Sequence, residues 1–556
     1  MLSDAAFLEA RAGRYYKDFI IYSRAPQQPL YNDTATTERF GGDRQTHTAE
    51  YRPQMNGSLS FFKSGWGNSH NLKFGWEIAY YPTPGNQPGR ISRADKDLED
   101  LAPNDNRVQG LPPDVEHRLI NGAPSEVVLF ETPNKTKNFQ WTYSAYVNDA
   151  WQLNDHLSFN LGIRFDRYRN GYPDQVHPVG RFNATEVRFP ANPDVFHFNT
   201  VGPRLGIVWN IKGNGKTLVK ANWGQYAWRV SGNVAGQNPN PLAWSKRYVW
   251  NDRNGDRLWQ RGEEGRLVAA TGGSTNERID PNWKNNVTSE LAAWLERELI
   301  PNFGVRSGVI WRGDKNKQVV LNPNRPFEAY NIPITVRDPG PDGVVGNADD
   351  GPSFTAWNLE TAALNAPIVN LTTHNPYLTD GEDHYTWEIA GTKRMSNHWS
   401  MNTSFAHTWS REAVNGTNPN AFIGTESDQR KHYTNWQAKL AGTFQLPYEV
   451  NISPVIRHQS GDPFGRTIQA RLNYGTQTIQ VEPESARRVT NVTIVDVRAE
   501  KGIRVGGRRV AFFFDLFNIL NANADQAIVQ SSGSTFLRPT VIVPPRVARI
   551  GAKFEW

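Results

Sequence analysis

The sequence predicts an all-β chain folded as an antiparallel transmembrane β-barrel of about 16 strands, with its long loops on one rim. Three observations predict this: apolar and polar residues alternate with period two in many segments, short and long connections alternate along the chain, and the composition excludes the commoner alternatives. Of 556 residues, 38% are hydrophobic and 12% aromatic, and 61 Lys+Arg against 55 Asp+Glu leave a net charge of +6. So many aromatics with so little net charge exclude a disordered chain. The absence of Cys excludes a disulfide scaffold, a zinc–thiolate centre and cysteine catalysis. No run approaches the roughly 18 apolar residues of a membrane-spanning helix. Basic residues are interleaved with acids, which argues against a nucleic-acid partner. Met1–Ile20 carries Asp4, Glu9 and Asp18 and no apolar stretch, unlike a secretory leader.

A first strand is expected near Arg14–Ser23, and Trp141–Trp151 reads as another. In His156–Asp166 the pattern is clearest: Leu157, Phe159, Leu161, Ile163 and Phe165 point one way, Ser158, Asn160, Gly162, Arg164 and Asp166 the other. Successive strand side chains face opposite sides of a sheet, so one face is apolar and one polar. Pro203–Ile211, Thr217–Arg229, Asn302–Arg312, Trp399–Trp409 and Arg508–Ile519 follow. The chain closes with Ile550, Ala552, Phe554 and Trp556 on one face and Arg549, Gly551, Lys553 and Glu555 on the other. Short links are expected at Ser64–Asn71, Gln152–His156, Lys212–Lys216, Glu298–Asn302, Met395–His398, Leu446–Glu449 and Lys501–Gly507, where Asn, Gly, Asp and Pro suit tight turns. Long polar connections lie between them, at about Pro82–Lys135, Tyr168–His197, Val230–Asn282, Gly313–Asp383, Ser410–Arg430, Gly461–Arg488 and Asn521–Pro545. An outer-membrane barrel has short periplasmic turns and long outer loops, whereas a soluble sandwich has no reason to segregate them. Trp151, Trp209, Trp223, Phe444 and Trp556 fit interfacial aromatic girdles. Residues 1–51 are read as an N-terminal strand and loop and 52–556 as the barrel portion.

Two loops offer ligands for a hard cation. In Asn251–Glu264, Asp252, Asn254, Asp256 and Glu263 fall at positions 1, 3, 5 and 12, the spacing of a calcium loop, although Arg257 replaces the usual Gly at position 6. Asp338–Gly351 offers Asp338, Asp342, Asp349 and Asp350 among glycines that permit tight wrapping. For both, a solvated acidic turn is the plainer alternative. Gly213–Thr217 is a hairpin turn rather than a phosphate loop, because a strand follows it. There is no HExxH pair and no Gly-x-Ser-x-Gly elbow, and the reading is not an enzyme. The loop aromatics Trp244, Trp250, Trp259, Trp283 and Trp357 can stack on a captured ligand or pack the loops together. Loop Lys and Arg can meet lipopolysaccharide phosphates.

Tyr143–Leu161 with Gly162–Asp166, then Val201–Leu205 and Gly213–Thr217, resembles the mid-barrel hairpins of TonB-dependent outer-membrane receptors. Leu446–Pro447, Ser460–Phe464 and Asp515–Asn521 are similar to the later strands of that family. Arg549–Trp556 resembles the C-terminal signal, with Phe554 and Trp556, that the barrel-assembly machinery reads. Together they are similar to the Oar-like branch, whose full chains carry a regulatory domain and a plug before the barrel. The resemblance implies location in the outer membrane of a Gram-negative bacterium, capture of a nutrient by the outer loops, and energy from TonB acting through a plug. No plug-like segment or TonB box is read here, so the expectation is the C-terminal part of such a barrel, in contact with lipid and lipopolysaccharide. The rivals are a passive porin-like channel of 16 strands and a barrel-based surface adhesion protein.

Overall fold

A computed structural model describes residues 5–555 except 22–24, 26–27, 43–45, 86–114, 131–135, 178, 180–184, 233, 235–239, 274–276 and 377–380. One sheet of sixteen antiparallel strands dominates, each strand pairing with its neighbours along the chain. We number them β1 (Ala6–Ile21), β2 (Thr46–Ser64), β3 (Ser69–Gly85), β4 (Thr136–Gln152), β5 (Leu157–Tyr172), β6 (Asn192–Asn210), β7 (Thr217–Ala227), β8 (Val287–Ile300), β9 (Phe303–Lys315), β10 (Glu382–Ser396), β11 (Trp399–Ala413), β12 (Arg430–Leu446), β13 (Val450–Gln459), β14 (Val492–Val505), β15 (Arg508–Phe517) and β16 (Val547–Glu555). Every one reaches the roughly 9–11 residues that a tilted strand needs to cross a bilayer, from 9 in β16 to 19 in β2 and β6. The 51/52 division falls inside β2.

All seven expected short turns are present, and in a sheet of sequential antiparallel neighbours they all fall on one rim, with the long connections on the other. Their chemistry follows from the backbone. Asn397-His398 and Gly506-Gly507 are two-residue loops with both residues at positive φ, the type I′ turn whose twist matches the flanking strands.

The two faces differ as the alternation requires. Leu291 and Leu295 on β8, Val309 on β9, and Ile550 and Phe554 on β16 stand uncovered, Ile550 at 82% exposure. Among the described residues no second layer packs on this row, which is the condition of a face turned to acyl chains. Trp151, Trp209 and Phe444 lie within two residues of the short turns, and Phe444 stacks on Trp399, as an interfacial girdle does. On the inner face, large rings lie over glycines of the adjacent strand. A Cβ at Gly308 would come 2.1 Å from Cδ1 of Trp294, and one at Gly75 would run into the Tyr146 ring.

Among the described residues no ladder joins β1 to β16, so the sheet has two free edges. The long connections contain more structure than their polarity suggests. Leu30–Asp33, Glu38–Gly41, Val115–Ile120, Ala123–Phe130, Asn240–Trp250 and Glu264–Gly273 form a six-stranded sheet above the rim, with a core of Val115, Leu119, Val127, Leu129 and Trp250. A second core joins the short helix Thr361–Asn365 to the hairpin Thr467–Leu472/Gly475–Gln480, through Leu359, Ala363, Ile468 and Ile479.

Candidate functional site

The candidate site is the polar inner wall together with the cap of loops above it. Period-two alternation puts every second residue of each strand on the inner face, and these positions carry charges that find partners across strands. Arg164 Nε donates to both oxygens of Asp166, at 2.9 and 3.0 Å, and its Nη2 reaches Glu77 at 3.3 Å. Lys220 pairs with Glu296 at 2.7 Å, Arg306 with Glu388 at 2.5 Å and Arg457 with Asp496 at 3.5 Å. Asp515 accepts from Arg498 at 2.6 Å and from Arg549 at 2.6 Å, tying β14, β15 and β16 together. Such a wall is wetted and ionic, suited to polar solutes. An open cavity of about 830 Å³ borders its short-turn end, lined in part by Lys216, Arg306, Lys439 and Arg457.

Near the other rim, ligand atoms of Asp314, Glu382 and His384 lie within 4.8 Å of one another, the one such group among the described residues. Sequence reading missed it, since its members come from two strands nearly seventy positions apart. The protein answers this charge itself: Lys317 Nζ is 2.5 Å from Glu382, Arg312 is 3.2 Å from Asp314, and Ser410 meets His384 Nδ1 at 3.0 Å.

The loop carrying Asp252, Asn254, Asp256 and Glu263 lies at the edge of the six-stranded sheet. Each carboxylate oxygen there accepts an internal donor. Asp252 takes the N–H groups of Gly255 and Arg257, and Asp256 those of Leu258 and the Gln260 amide. Glu263 is buried and accepts from Arg253 N, Gln260 N and Trp250 Nε1, at 3.0–3.1 Å. These hydrogen bonds hold the carboxyls of Asp256 and Glu263 below their ordinary range, for Asp256 chiefly the Leu258 amide; at Glu263 the bonds outweigh the larger, opposing effect of burial. Beside the loop, His117 is buried; its Nδ1 donates to Leu30 O at 3.1 Å and its Nε2 accepts Trp259 N–H at 2.9 Å. Burial holds this imidazole below its ordinary value.

In the second acidic loop Asp338 is separated in role from Asp342, Asp349 and Asp350. It is enclosed and gripped by both Nη atoms of Arg466, at 2.7 and 2.5 Å, and Arg466 Nε reaches Glu482 at 3.1 Å. Arg466 also escaped sequence reading, because a lone basic residue in a polar connection carries no signal of burial. Of the aromatics, Trp250 is 4% exposed within the loop core and Trp259 packs against that core. Trp283 packs on Phe196 and Phe198. Trp357 is half-buried, its backbone bonded to Asn420. The side chain of Trp244 lies outside the described residues, as does Trp556; Phe554 stands on the outward face.

Residues 18–477 match the family described as outer membrane beta barrel domain. No curated protein sequence matches the chain. Among solved structures, the outer membrane transporter YddB from Escherichia coli aligns at 11% identity and TM-score 0.54, over 99% of this chain and 61% of that one. The siderophore receptor PiuA from Acinetobacter baumannii aligns at 10% and 0.51, over 100% and 62%. P. aeruginosa FpvA bound to pyoverdines aligns at 9% and 0.52, over 99% and 54%. These likenesses show a shared fold, and the chain spans about six-tenths of the length of the first two.

Proposed function

Because the chain belongs to the outer-membrane β-barrel domain family and resides in the outer membrane, we propose that it is the wall and outer cap of a ligand transporter of the TonB-dependent type, Oar-like branch. The observation that carries this reading is the sixteen-stranded sheet with two free edges. In a bilayer each unpaired backbone group costs several kcal/mol, which favours pairing of both edges with further strands. Plugged outer-membrane transporters have about 22 strands, while 16–18 strands enclose an open aqueous channel. The cap supports capture of a nutrient from outside, and the ionic inner wall supports passage of a polar solute. TonB acts through a plug that accompanies the closing strands. Phe554 on β16 and the C-terminal Trp556 act as the signal read by the barrel-assembly machinery, and loop cations meet lipopolysaccharide.

The test is uptake by cells expressing the intact protein, with and without TonB, alongside planar-bilayer conductance of this chain. Uptake that stops without TonB, with no steady conductance, is expected. Stable conductance steps without an energy source would replace this reading with a passive porin, the alternative that the count of sixteen favours.

A further inference from the structure

Register brings two rows of inner-wall side chains together below the loop rim. Across β8, β9, β10 and β11, Glu290 stands opposite Arg312, Arg312 opposite His384, and His384 opposite Ser410. One row nearer the rim, Thr288 stands opposite Asp314 and Asp314 opposite Glu382. Residues two apart on a strand share a face, so both rows look the same way, and Glu290, Asp314, Glu382 and His384 line one open cavity of about 440 Å³. The result is two carboxylates and an imidazole whose ligand atoms lie within 4.8 Å of one another.

Each of these side chains is oriented from behind. Ser410 Oγ lies 3.0 Å from His384 Nδ1, while His384 Nε2 has no partner among the described residues. A metal-ligating histidine shows this arrangement, with one ring nitrogen fixed by the protein and the other left for the ion. Thr288 Oγ1 donates to Asp314 Oδ1. Glu382 is buried, and its carboxylate meets Lys317 Nζ at 2.5 Å. The Lys317 side chain is 40% exposed against 9% for Glu382. Lysine is a strongly hydrated charge on a flexible stem, so water can take it back when another cation arrives.

The charge balance leaves room for that cation. Glu290, Asp314, Glu382 and Glu412 face the cavity, and Arg312 and Lys317 answer Asp314 and Glu382. Glu290 has no partner among the described residues, and Glu412 accepts from the Tyr433 hydroxyl. Two negative charges are left over, enough for one divalent ion. An imidazole nitrogen with carboxylate oxygens, and a further position open to the cavity, suits a borderline ion such as zinc. Calcium and magnesium take a fuller shell of oxygens. Ligands already this near can close on an ion held at about 2.0–2.2 Å by side-chain rotation.

We propose that Asp314, Glu382 and His384 form a binding site for a zinc-like divalent ion on the inner wall, with Lys317 as the resident counter-ion that the metal displaces. The site does not rest on the transport reading, for it belongs to the wall of an energised transporter and of a passive channel alike.

The test is calorimetric titration of the purified full chain, stripped with chelator in detergent micelles, with zinc chloride and then with calcium chloride. One zinc per chain should bind saturably, with calcium at least about ten-fold weaker. His384→Gln and Asp314→Asn should each weaken zinc binding by about ten-fold or more. Lys317→Met should tighten it by about ten-fold, because the metal no longer competes with an ammonium for Glu382. His432→Gln, in the separate His432–Asp428 pair, should change nothing. Heat-modifiable electrophoretic migration checks folding, and Lys317→Met, which keeps every ligand, decides the matter if a ligand variant fails to fold. No saturable zinc binding, calcium bound as tightly as zinc, or wild-type affinity in the His384 and Asp314 variants would each overturn the assignment. So would unchanged or weaker binding in Lys317→Met, or loss of binding in His432→Gln.

Discussion

At Arg466 and Asp338 two opposite charges are taken out of water together, at 5% and 4% side-chain exposure. Their mutual attraction need not exceed the cost of burial, but removing one partner strands the other. Arg466→Ala should therefore destabilise the local loop structure by about 3–5 kcal/mol, read as faster proteolysis of 337–353 and 461–490. The double variant Arg466→Met/Asp338→Leu should recover a large part of that loss. His117 gives a pH dependence with a definite sign. Its folded value lies below the ordinary 6.5 because burial disfavours the charged ring. The unfolded state therefore binds the extra proton first. The contribution is complete above pH ~6.5 and is lost as the pH falls through the lower folded value. Protonation also removes the Nε2 acceptor of Trp259 N–H. Hydrogen exchange in Ala123–Phe130 and in residues 252–263 should quicken below pH ~6.5, and much less so in His117→Gln.

The strands are legible in the sequence to the extent that lipid enforces them. Leu157–Phe165 and Arg549–Glu555 alternate cleanly because one face meets acyl chains and the other water, and a slip of one residue would invert both. Leu295 projects outward at the middle of β8. Leu295→Arg should cost about 2–4 kcal/mol in refolding from denaturant into bilayers, while Glu296→Gln on the inner face should change little. Gly308 is a different case: a side chain there meets Trp294 and, at 2.6 Å, the backbone oxygen of Ala293. Gly308→Val should lower the yield of heat-modifiable folded protein, and Gly304→Val on the same strand, with only Arg297 O at 3.8 Å, far less. The six-stranded sheet above the rim was hidden because its strands are short and partly polar, and are paired across as much as 123 residues of chain, as at Glu126 and Val249.

For the whole molecule, closure is testable because the sequence has no native cysteine. With one cysteine introduced at Ala10 on β1 and a second scanned along β16, oxidation should give no intramolecular disulfide, because among the described residues no ladder joins these edges. Efficient crosslinking at one register would mean a closed barrel of sixteen strands and would favour the porin reading.

Period-two alternation and turn chemistry, written into the sequence, determined the fold class, the strand count, the seven tight turns and the rim on which the loops gather, because these depend on neighbours a few residues apart and on the contrast between lipid and water. Tertiary structure alone decided that Asp338 belongs to Arg466, that Trp250 is core, and that Asp314, Glu382 and His384 meet. Those pairings join loops distant along the chain, and whether a charge is solvated or buried depends on which loop arrives beside it.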